Sequence, residues 1–415
     1  MVKIYLLLWI LFKFCWAQYQ IIYLIFHRSE IDNMIKLIYK VLIILFILSI
    51  NACSKKKYAI HDNLIQKYGI LYGDSFEEVG NWIGINNKSE FLIIGQKYIT
   101  KKSTWLIKLD NNYQITWDKI INQPNDFSIT NAINFNDKIF AVGSAFIDNE
   151  YDNWALLIFD DNGKIFYKKY FDHTNTSYKY SNHEYANFIS QMPNNSFLVG
   201  GTTYIDLNNR EDKDENEEYE INQWYGWISN ISHDGKLYWH HSYQANNILS
   251  IDSIINTKNE IFVLAESVNE LRNLNISLFT IGNNGKIIWR NDFDYSNYDE
   301  PVSLLLTKNA DIYILASIKF INKNIQKIKI IKFDNNKNKI WENDYGVDSY
   351  YYNPNCFIET YDNNLIIIGT RKECSYTFDN TNAKQLLIFM IDSNGNKLWE
   401  KLYSNDSFDV EIKNV

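Results

Sequence analysis

The sequence predicts an all-β fold built from about six repeated four-stranded units. Three observations predict it: an aromatic residue recurs after a turn, short apolar runs precede it, and helical periodicity is absent after residue 58. Successive aromatic residues are separated by 50, 72, 50, 52 and 58 positions. They are Trp117, Tyr167, Trp239, Trp289, Trp341 and Trp399. One aromatic side chain at the same place in each unit is expected to pack between neighbouring sheets.

A turn of recurrent chemistry precedes each aromatic residue. Four units have an Asp seven positions before it, and four have a Gly four positions before it. These residues are Asp110, Asp160, Asp334 and Asp392, and Gly163, Gly235, Gly285 and Gly395. Because Asp, Asn and Gly tolerate positive φ angles, the turn predicts a hairpin between the third and fourth strands of a unit.

The remaining strands are read from the apolar runs. The third strand ends at the Asp, as in KIKIIKFD at 327–334. The second strand is almost entirely apolar, as in KIFAVG at 138–143 and NLIIIG at 364–369, which is typical of a strand buried on both faces. The first strand is less apolar, as in EEVGNWIGI at 77–85.

Four-stranded units with a period near 50 favour a β-propeller, in which a ring of sheets leaves few exposed edges. The text G-x-x-x-W after an Asp turn resembles the propeller repeats of bacterial lipoproteins, and it is similar to quinoprotein-type repeats. The resemblance covers about residues 64–415 and implies architecture rather than activity. A β-sandwich of short strands is the alternative fold.

The number of blades is open at the two ends of the repeat. Residues 64–68 look like a lone fourth strand, and residues 402–412 echo residues 71–79. We expect six blades with extra terminal strands. Seven blades, one of them incomplete, is the alternative.

The N-terminal residues predict an export signal. Lys36 and Lys40 precede the apolar run VLIILFILSI at 41–50, and a small residue, Ala52, precedes Cys53. The run of about ten apolar residues is short for a helix that spans a bilayer. The tetrapeptide at 50–53 resembles the lipobox of a bacterial lipoprotein signal, which implies that Cys53 is lipidated.

The domain plan follows from this resemblance. Residues 1–52 are a signal or lipoprotein leader, with Met34 as a candidate true start, residues 53–63 are the lipidated Cys and a short linker, and residues 64–415 are the propeller. A two-span membrane anchor is the alternative for the leader. Ser54 after the Cys implies the outer membrane, with the propeller on the periplasmic side or at the cell surface.

Charge and motifs exclude several function classes. The net charge of −8 gives no basic footprint for nucleic acid. The sequence has no nucleophile or phosphate-binding motif, and its seven His have no metal-ligand spacing. We therefore expect no enzyme, no metal and no cofactor, and the quinoprotein resemblance lacks residues to hold a quinone.

Two sets of residues are candidates for specific roles. The loop aromatics Trp224, Tyr225 and Tyr350, Tyr351 and Tyr352 are candidate binding anchors. Cys356 and Cys374 fall on neighbouring strands of one unit and are a candidate disulfide, which an exported compartment permits.

The expected function is a membrane-anchored, non-catalytic binding or scaffold module of the cell envelope. Its partners would be the membrane through the lipid anchor, and envelope proteins or glycans, with no nucleic acid. At the level of architecture, the chain resembles the propeller lipoprotein that assists outer-membrane protein assembly. The alternative is a carbohydrate-binding or glycan-degrading propeller. Converging carboxylates would favour a glycan enzyme, and a row of exposed aromatics would favour carbohydrate binding.

Overall fold

The computed structural model is an all-β fold of successive four-stranded sheets. It describes residues 4–5, 48–49, 71–72, 77–86, 88–98, 102–121, 127–147, 151–171, 181–206, 223–257, 260–373, 384–403 and 411–412. Most of the expected leader, the linker at 53–63 with Cys53, and Cys374 lie outside the described residues. Among those residues, no helix has the length and apolar character needed to cross a bilayer.

The first three units are separate antiparallel sheets with their strands in sequence order. Unit 1 has the strands Glu77–Ile85, Phe91–Tyr98, Lys102–Leu109 and Ile115–Ile121. Unit 2 has the strands Phe127–Phe135, Lys138–Ile147, Tyr151–Asp160 and Ile165–Phe171. Unit 3 has the strands Ser181–Gln191, Phe197–Asp206, Gln223–Ile231 and Leu237–Ser242.

The next three units repeat the plan and are joined by parallel bridges from the third strand of one unit to the first strand of the next. Unit 4 has the strands Ile248–Asn256, Ile261–Val268, Leu274–Ile281 and Ile287–Phe293. Unit 5 has the strands Tyr298–Leu306, Ile312–Phe320, Ile325–Phe333 and Lys339–Tyr345. Unit 6 has the strands Tyr350–Glu359, Leu365–Glu373, Gln385–Ile391 and Lys397–Tyr403. Short 3₁₀ helices span Gln244–Asn246 and Ile321–Lys323.

A small sheet of two-residue strands joins both ends of the chain. Its order is Glu411–Ile412, Leu48–Ser49, Ile4–Tyr5 and Leu71–Tyr72. It contacts the first strand of unit 1 and the second strand of unit 6. Two of its strands lie within the predicted leader, so cleavage before Cys53 would remove them. Six units are therefore complete within the described residues, and the choice between six and seven blades stays a prediction.

The first strands of the units lie innermost. The first strands of successive units contact one another from unit 1 to unit 6. Each contains a register shift at the same place, where one extra residue bulges out of the ladder. The bulged residues are Asn81, Thr130, Asn187, Asp252, Val302 and Asn355. Two of them bond the next unit: Asn81 Nδ2 donates to the Ile129 carbonyl over 2.5 Å, and Thr130 Oγ1 donates to the Ala186 carbonyl.

Within the described residues, a hydrophobic cluster fills each interface from unit 1–2 to unit 5–6. The cluster between units 2 and 3 contains Trp154 and Trp227, whose ring centroids are 5.3 Å apart. Each almost fully apolar second strand contributes side chains to the clusters on both of its faces, because successive residues of a strand point to opposite faces. This confirms the expectation that these strands are buried on both faces.

The recurrent aromatic residues stack on the turns of the following unit. A Cβ added to Gly285 would lie 2.7 Å from the Trp239 ring, and one added to Gly395 would lie 3.2 Å from the Trp341 ring. The tyrosines four positions later reinforce the contact, since Tyr243 donates to the Gly285 carbonyl and Tyr345 to the Gly395 carbonyl, each over 2.7 Å. The aromatic residues therefore lock each sheet to the next, as expected from the sequence.

The turns show why Asp and Gly recur before each aromatic residue. The Asp110 carboxylate accepts the backbone N–H groups of Asn112 and Gln114, which closes the turn. The Gly position has a positive φ in every unit, including the units where Tyr113 (φ 64°) and Lys337 (φ 69°) replace Gly. Lys337 keeps the contact with the preceding unit, since its Nζ lies 5.4 Å from the Trp289 ring centroid.

The two ends of the strands differ in their connections. Strands one and two, and strands three and four, are joined by tight turns at one end, which we call the turn end. Strands two and three, and successive units, are joined at the opposite end, which we call the loop end. The loop end includes the connection at 207–222, which lies within the 72-residue spacing between Tyr167 and Trp239. The start of every first strand therefore lies at the loop end.

We expect Gly285→Ala to lower the free energy of unfolding by about 1–3 kcal/mol, because a non-Gly residue must adopt a positive φ against the Trp239 ring. Gly282→Ala in the same turn is the matched control, since its added Cβ would meet no atom closer than 3.4 Å. Urea unfolding measures both. Equal losses in the two variants would contradict the stacking argument.

Candidate functional site

A ring of polar residues lines the loop end of the inner strands. Each member lies on a second strand, opposite the residue two positions before the bulge. The members are Gln96, Ser144, Thr202, Glu266, Ser317 and Thr370. Gln96 Nε2 donates to Ser128 Oγ of the next unit, so this ring also links units.

Three carboxyl groups converge on this ring, and we call them the acidic cluster: Asp252, Glu266 and Glu300. Asp252 is the bulged residue of unit 4, and Glu266 is the ring member of the same unit. Glu266 shares a strand face with Leu264, which packs against unit 5. Glu300 stands on the first strand of unit 5 two positions before its bulge, the place that Ser128 has in unit 2.

The bulge fixes the Asp252 carboxylate in the cluster. Ser250 Oγ donates to its two oxygens over 2.9 and 3.0 Å, and the Glu266 backbone N–H donates over 3.0 Å. Asp252 and Glu266 are half-buried and Glu300 is exposed. The cluster is therefore enclosed on the protein side and open to solvent at the loop end.

Enclosure and mutual repulsion raise the pKa values of the three carboxyls. Burial, then the charges of Glu266 and Glu300, raises the pKa of Asp252 from 3.8 to about 8. Burial and the Glu300 charge raise the pKa of Glu266 to about 7. Burial also raises the pKa of Glu300, and the Lys319 charge counters part of this effect. At neutral pH the cluster therefore holds protons and presents both hydrogen-bond donors and acceptors.

A tyrosine borders the acidic cluster. Tyr298 begins the first strand of unit 5, is 39% exposed, and has its pKa raised by burial and by the charges of Glu266 and Glu300. Lys319 lies opposite Tyr298 in the register, with its Nζ 5.9 Å from the ring centroid. The cluster thus has an aromatic face and a cation at its edge.

A row of aromatic side chains stands at the loop end of unit 3. His183, Tyr204 and Trp224 are directly opposite one another on its first three strands, and we call them the aromatic row. The Tyr204 ring centroid lies 6.1 Å from that of His183 and 4.6 Å from that of Trp224. Trp224 is 49% exposed.

Tyr225, next to Trp224, points to the opposite face of its strand. Burial and the Glu184 charge raise its pKa, and it bonds Thr203. Glu184 is 1% exposed. Tyr225 therefore belongs to the polar part of the unit 2–3 interface, unlike Trp224.

The tyrosines at 350–352 lie on the first strand of unit 6 rather than in a loop. Tyr350 stacks under Arg371, whose guanidinium carbon is 4.2 Å from the ring centroid. Tyr351 bonds the Asn324 side chain. Tyr352 is buried in the unit 5–6 cluster. Tyr350 and Tyr352 share a face and Tyr351 points the other way, because successive residues of a strand face opposite sides of the sheet.

Of the two cysteines in the predicted disulfide, the structure describes Cys356, on the first strand of unit 6. Cys356 lies opposite Ile368, and Glu373 lies about 17 Å further along that strand, opposite Tyr350. Cys374 is outside the described residues, so the Cys356–Cys374 disulfide stays a prediction. Cys356 is buried, which raises its pKa to about 12.

A metal centre is not formed by the described part of the chain, where no three His, Cys, Asp or Glu side chains are placed to hold an ion. His240 accepts or donates a 2.9 Å bond with Ser229 Oγ. The adjacent His241 packs its ring edge-on against Tyr243. The adjacent histidines thus contact different neighbours, because successive residues of a strand point to opposite faces.

Sequence reasoning missed the acidic cluster because its members are separated by 14 and 34 positions. One signal was available: Asp252 occupies a bulge position that other units fill with Asn, Thr or Val. A carboxylate at that position departs from the pattern of the other units. Positions that break a repeat pattern are often functional, because packing alone does not require the unusual residue type.

Comparison with known proteins gives only distant likenesses. No family model and no curated protein matches the sequence. A polysaccharide lyase, an ulvan lyase, is 10% identical over 79% of each chain with a TM-score of 0.47. A puromycin-hydrolyzing peptidase of Mycobacterium tuberculosis is 9% identical over 75% of this chain and 46% of its own, with a TM-score of 0.44. The hemagglutinin-neuraminidase ectodomain of parainfluenza virus 5 is 7% identical over 74% and 80%, with a TM-score of 0.39. Likenesses this weak assign no activity to this chain.

We expect stability to fall as the pH rises through the acidic cluster's titration. The native pKa values of Asp252 and Glu266 lie above their ordinary values, so the native state binds more protons than the unfolded state between about pH 4 and pH 8. The free energy of unfolding therefore decreases across that window. Asp252→Asn should flatten this decrease, measured by urea unfolding at about pH 5 and about pH 9.

Asp348→Asn is the control, because it removes an exposed carboxylate that pairs with Lys327 away from the cluster. It should leave the pH dependence as in the unmodified protein. If Asp252→Asn also leaves it unchanged, Asp252 is not held protonated by its surroundings.

Proposed function

We propose that the protein binds a glycan at the loop end of units 3 to 5. The observation that supports this proposal is the convergence of Asp252, Glu266 and Glu300 on one solvent-open patch. No described segment of the fold pairs these carboxyls with enough cations to neutralise them. Carboxyl groups held at an open end of a rigid scaffold suit ligand recognition better than stability.

The chemistry of the patch favours a polyhydroxylated ligand. A sugar offers neighbouring hydroxyls that both donate and accept, and a partly protonated carboxyl cluster does the same. Tyr298 supplies an apolar ring face beside these groups. An anionic polymer would add repulsion to carboxyls that already repel one another, so we favour a neutral or amine-bearing glycan.

Glycan cleavage is a second candidate function, favoured by the raised pKa values. The pKa of Asp252, about 8, keeps a proton on it at neutral pH, and Glu300 is the more exposed carboxyl, with the Lys319 charge opposing the rise in its pKa. A protonated acid beside an ionised partner is what acid–base cleavage of a glycosidic bond requires. Asp252 would donate the proton to the leaving oxygen and Glu300 would accept one from water. Release of reducing ends from a retained glycan is the measurement for this activity.

We expect native gels containing xylan or chitosan to retard the protein, and gels containing alginate to leave it unretarded. Glu266→Gln should reduce the retardation, because it changes the hydrogen-bonding and charge of the cluster while keeping the side-chain shape. Glu270→Gln is the matched control, since Glu270 is exposed in the 269–273 turn at the same end of unit 4. Retardation by alginate alone, or equal effects of the two variants, would overturn the proposal.

We also propose that the protein is exported and anchored by lipid at Cys53, at the outer membrane. The lipobox-like residues at 50–53 and the preceding apolar run support this proposal. Two or more acyl chains give stable attachment, since each buried CH₂ contributes about 0.8 kcal/mol. In that setting the propeller would meet envelope glycans or proteins, and a scaffold role among envelope proteins remains compatible with glycan binding.

Labelling with radioactive palmitate should mark the native protein and not the Cys53→Ala variant, because lipid attachment requires the Cys53 thiol. Cys356→Ala is the control, since Cys356 is buried in unit 6 and should not affect labelling. A Cys53→Ala chain that is still labelled, or a native chain that is soluble and unlabelled, would contradict anchoring at this residue.

A further inference from the structure

The aromatic row of His183, Tyr204 and Trp224 has a place in the fold that packing between units does not explain. The row lies at the loop end of unit 3, beyond the apolar residues that fill the interface with unit 4. Tyr204 and Trp224 share a strand face with Leu198 and Ile228, which pack against unit 4. The row therefore faces unit 4, whose first strand carries Asp252.

The row is continuous and aligned. Its three residues are direct cross-strand neighbours, so they repeat at the spacing of adjacent strands, about 4.8 Å. The His183 and Tyr204 planes differ by 29°, and the Tyr204 and Trp224 planes by 39°. Tyr185 extends the His183 end, with parallel rings 6.4 Å apart. The rings thus pack on one another from the inner strand outward, and the Trp224 indole is the exposed end of the row.

The outer end of the row is open. Trp224 is 49% exposed, and exposing a large indole to water is unfavourable by about 25 cal/mol per Å² of apolar surface. A ligand that covers the indole would remove this apolar surface from water and gain the corresponding free energy. A carboxyl group is not part of the row, so the row adds apolar contact where the acidic cluster adds hydrogen bonds.

We infer that the aromatic row is a second subsite for the glycan, so that the protein binds an extended chain rather than a single sugar. This inference rests on the proposed function. The C–H groups of a pyranose ring pack on aromatic rings, so one sugar of a chain can cover the exposed Trp224 indole at the end of the row. The row faces unit 4 from the neighbouring unit and opens at the same end as the acidic cluster. An oligosaccharide is therefore the occupant that uses both.

The test compares chain lengths. Isothermal titration would measure xylose against xylohexaose, and N-acetylglucosamine against chitohexaose. The native protein should bind one of the hexamers at least about tenfold more tightly than its monomer. Trp224→Ala should remove about tenfold of hexamer affinity and leave monomer affinity unchanged, while Trp224→Phe should restore part of the loss. Tyr238→Ala is the matched control, since Tyr238 is 58% exposed on the fourth strand of the same unit.

The outcomes separate this inference from the function on which it rests. If Glu266→Gln weakens both monomer and hexamer while Trp224→Ala weakens neither, the acidic cluster binds sugar and the second subsite is wrong. If the native protein binds monomer and hexamer equally in both the xylose and the N-acetylglucosamine series, the proposal of an extended site is also wrong. If no sugar binds the native protein, both proposals fail. Thermal unfolding of Trp224→Ala checks that the variant is folded. If it is not, the hexamer and monomer affinities of Trp224→Phe replace those of Trp224→Ala.

Discussion

The contact between an aromatic side chain and the turn of the next unit is the constraint on which the fold depends. It recurs at each interface from unit 1–2 to unit 5–6, with Gly163, Gly235, Gly285 and Gly395 or with Lys337 as the partner. A residue without a Cβ lets the ring approach the backbone closely, and a cation above the ring replaces this close approach in unit 5. Each unit thereby fixes the position of the next, and the inner strands are brought side by side.

This stacking also separates the two ends of the molecule by role. The turn end is occupied by Asx-type turns and by bonds between units, such as the 3.1 Å bond from Trp341 Nε1 to the Ser393 carbonyl. These bonds leave little freedom for the turn sequences to vary. The loop end carries the connections between strands two and three and between units, and its polar ring differs in chemistry from one unit to the next. Variation at one end of a rigid scaffold is the usual basis of recognition.

The bulged position of the first strand links sheets in some units and carries a carboxyl group of the acidic cluster in unit 4. In units 1 and 2 the bulged Asn81 and Thr130 bond the backbone of the next unit, as a link between sheets. In unit 4 the bulged Asp252 instead accepts bonds from its own sheet and sits beside Glu266 and Glu300. The repulsion among these carboxyls opposes folding at high pH, and a rigid neighbourhood of six packed sheets holds them together against it.

The sequence by itself determined the repeat. Local periodicity and turn chemistry predict the recurrent aromatic residues, the Asp and Gly turns and the second strands that are buried on both faces, because residues close in sequence carry these signals. The 72-residue spacing also indicates a longer connection within unit 3. The sequence did not determine that Trp224 would join His183 and Tyr204, that Tyr225 and Tyr352 would turn inward, or that Cys356 and the end of the next strand would lie far apart. Those facts depend on cross-strand register and on which face of each sheet meets a neighbour. Register is set by turns and bulges over tens of residues, so only the tertiary structure decided them.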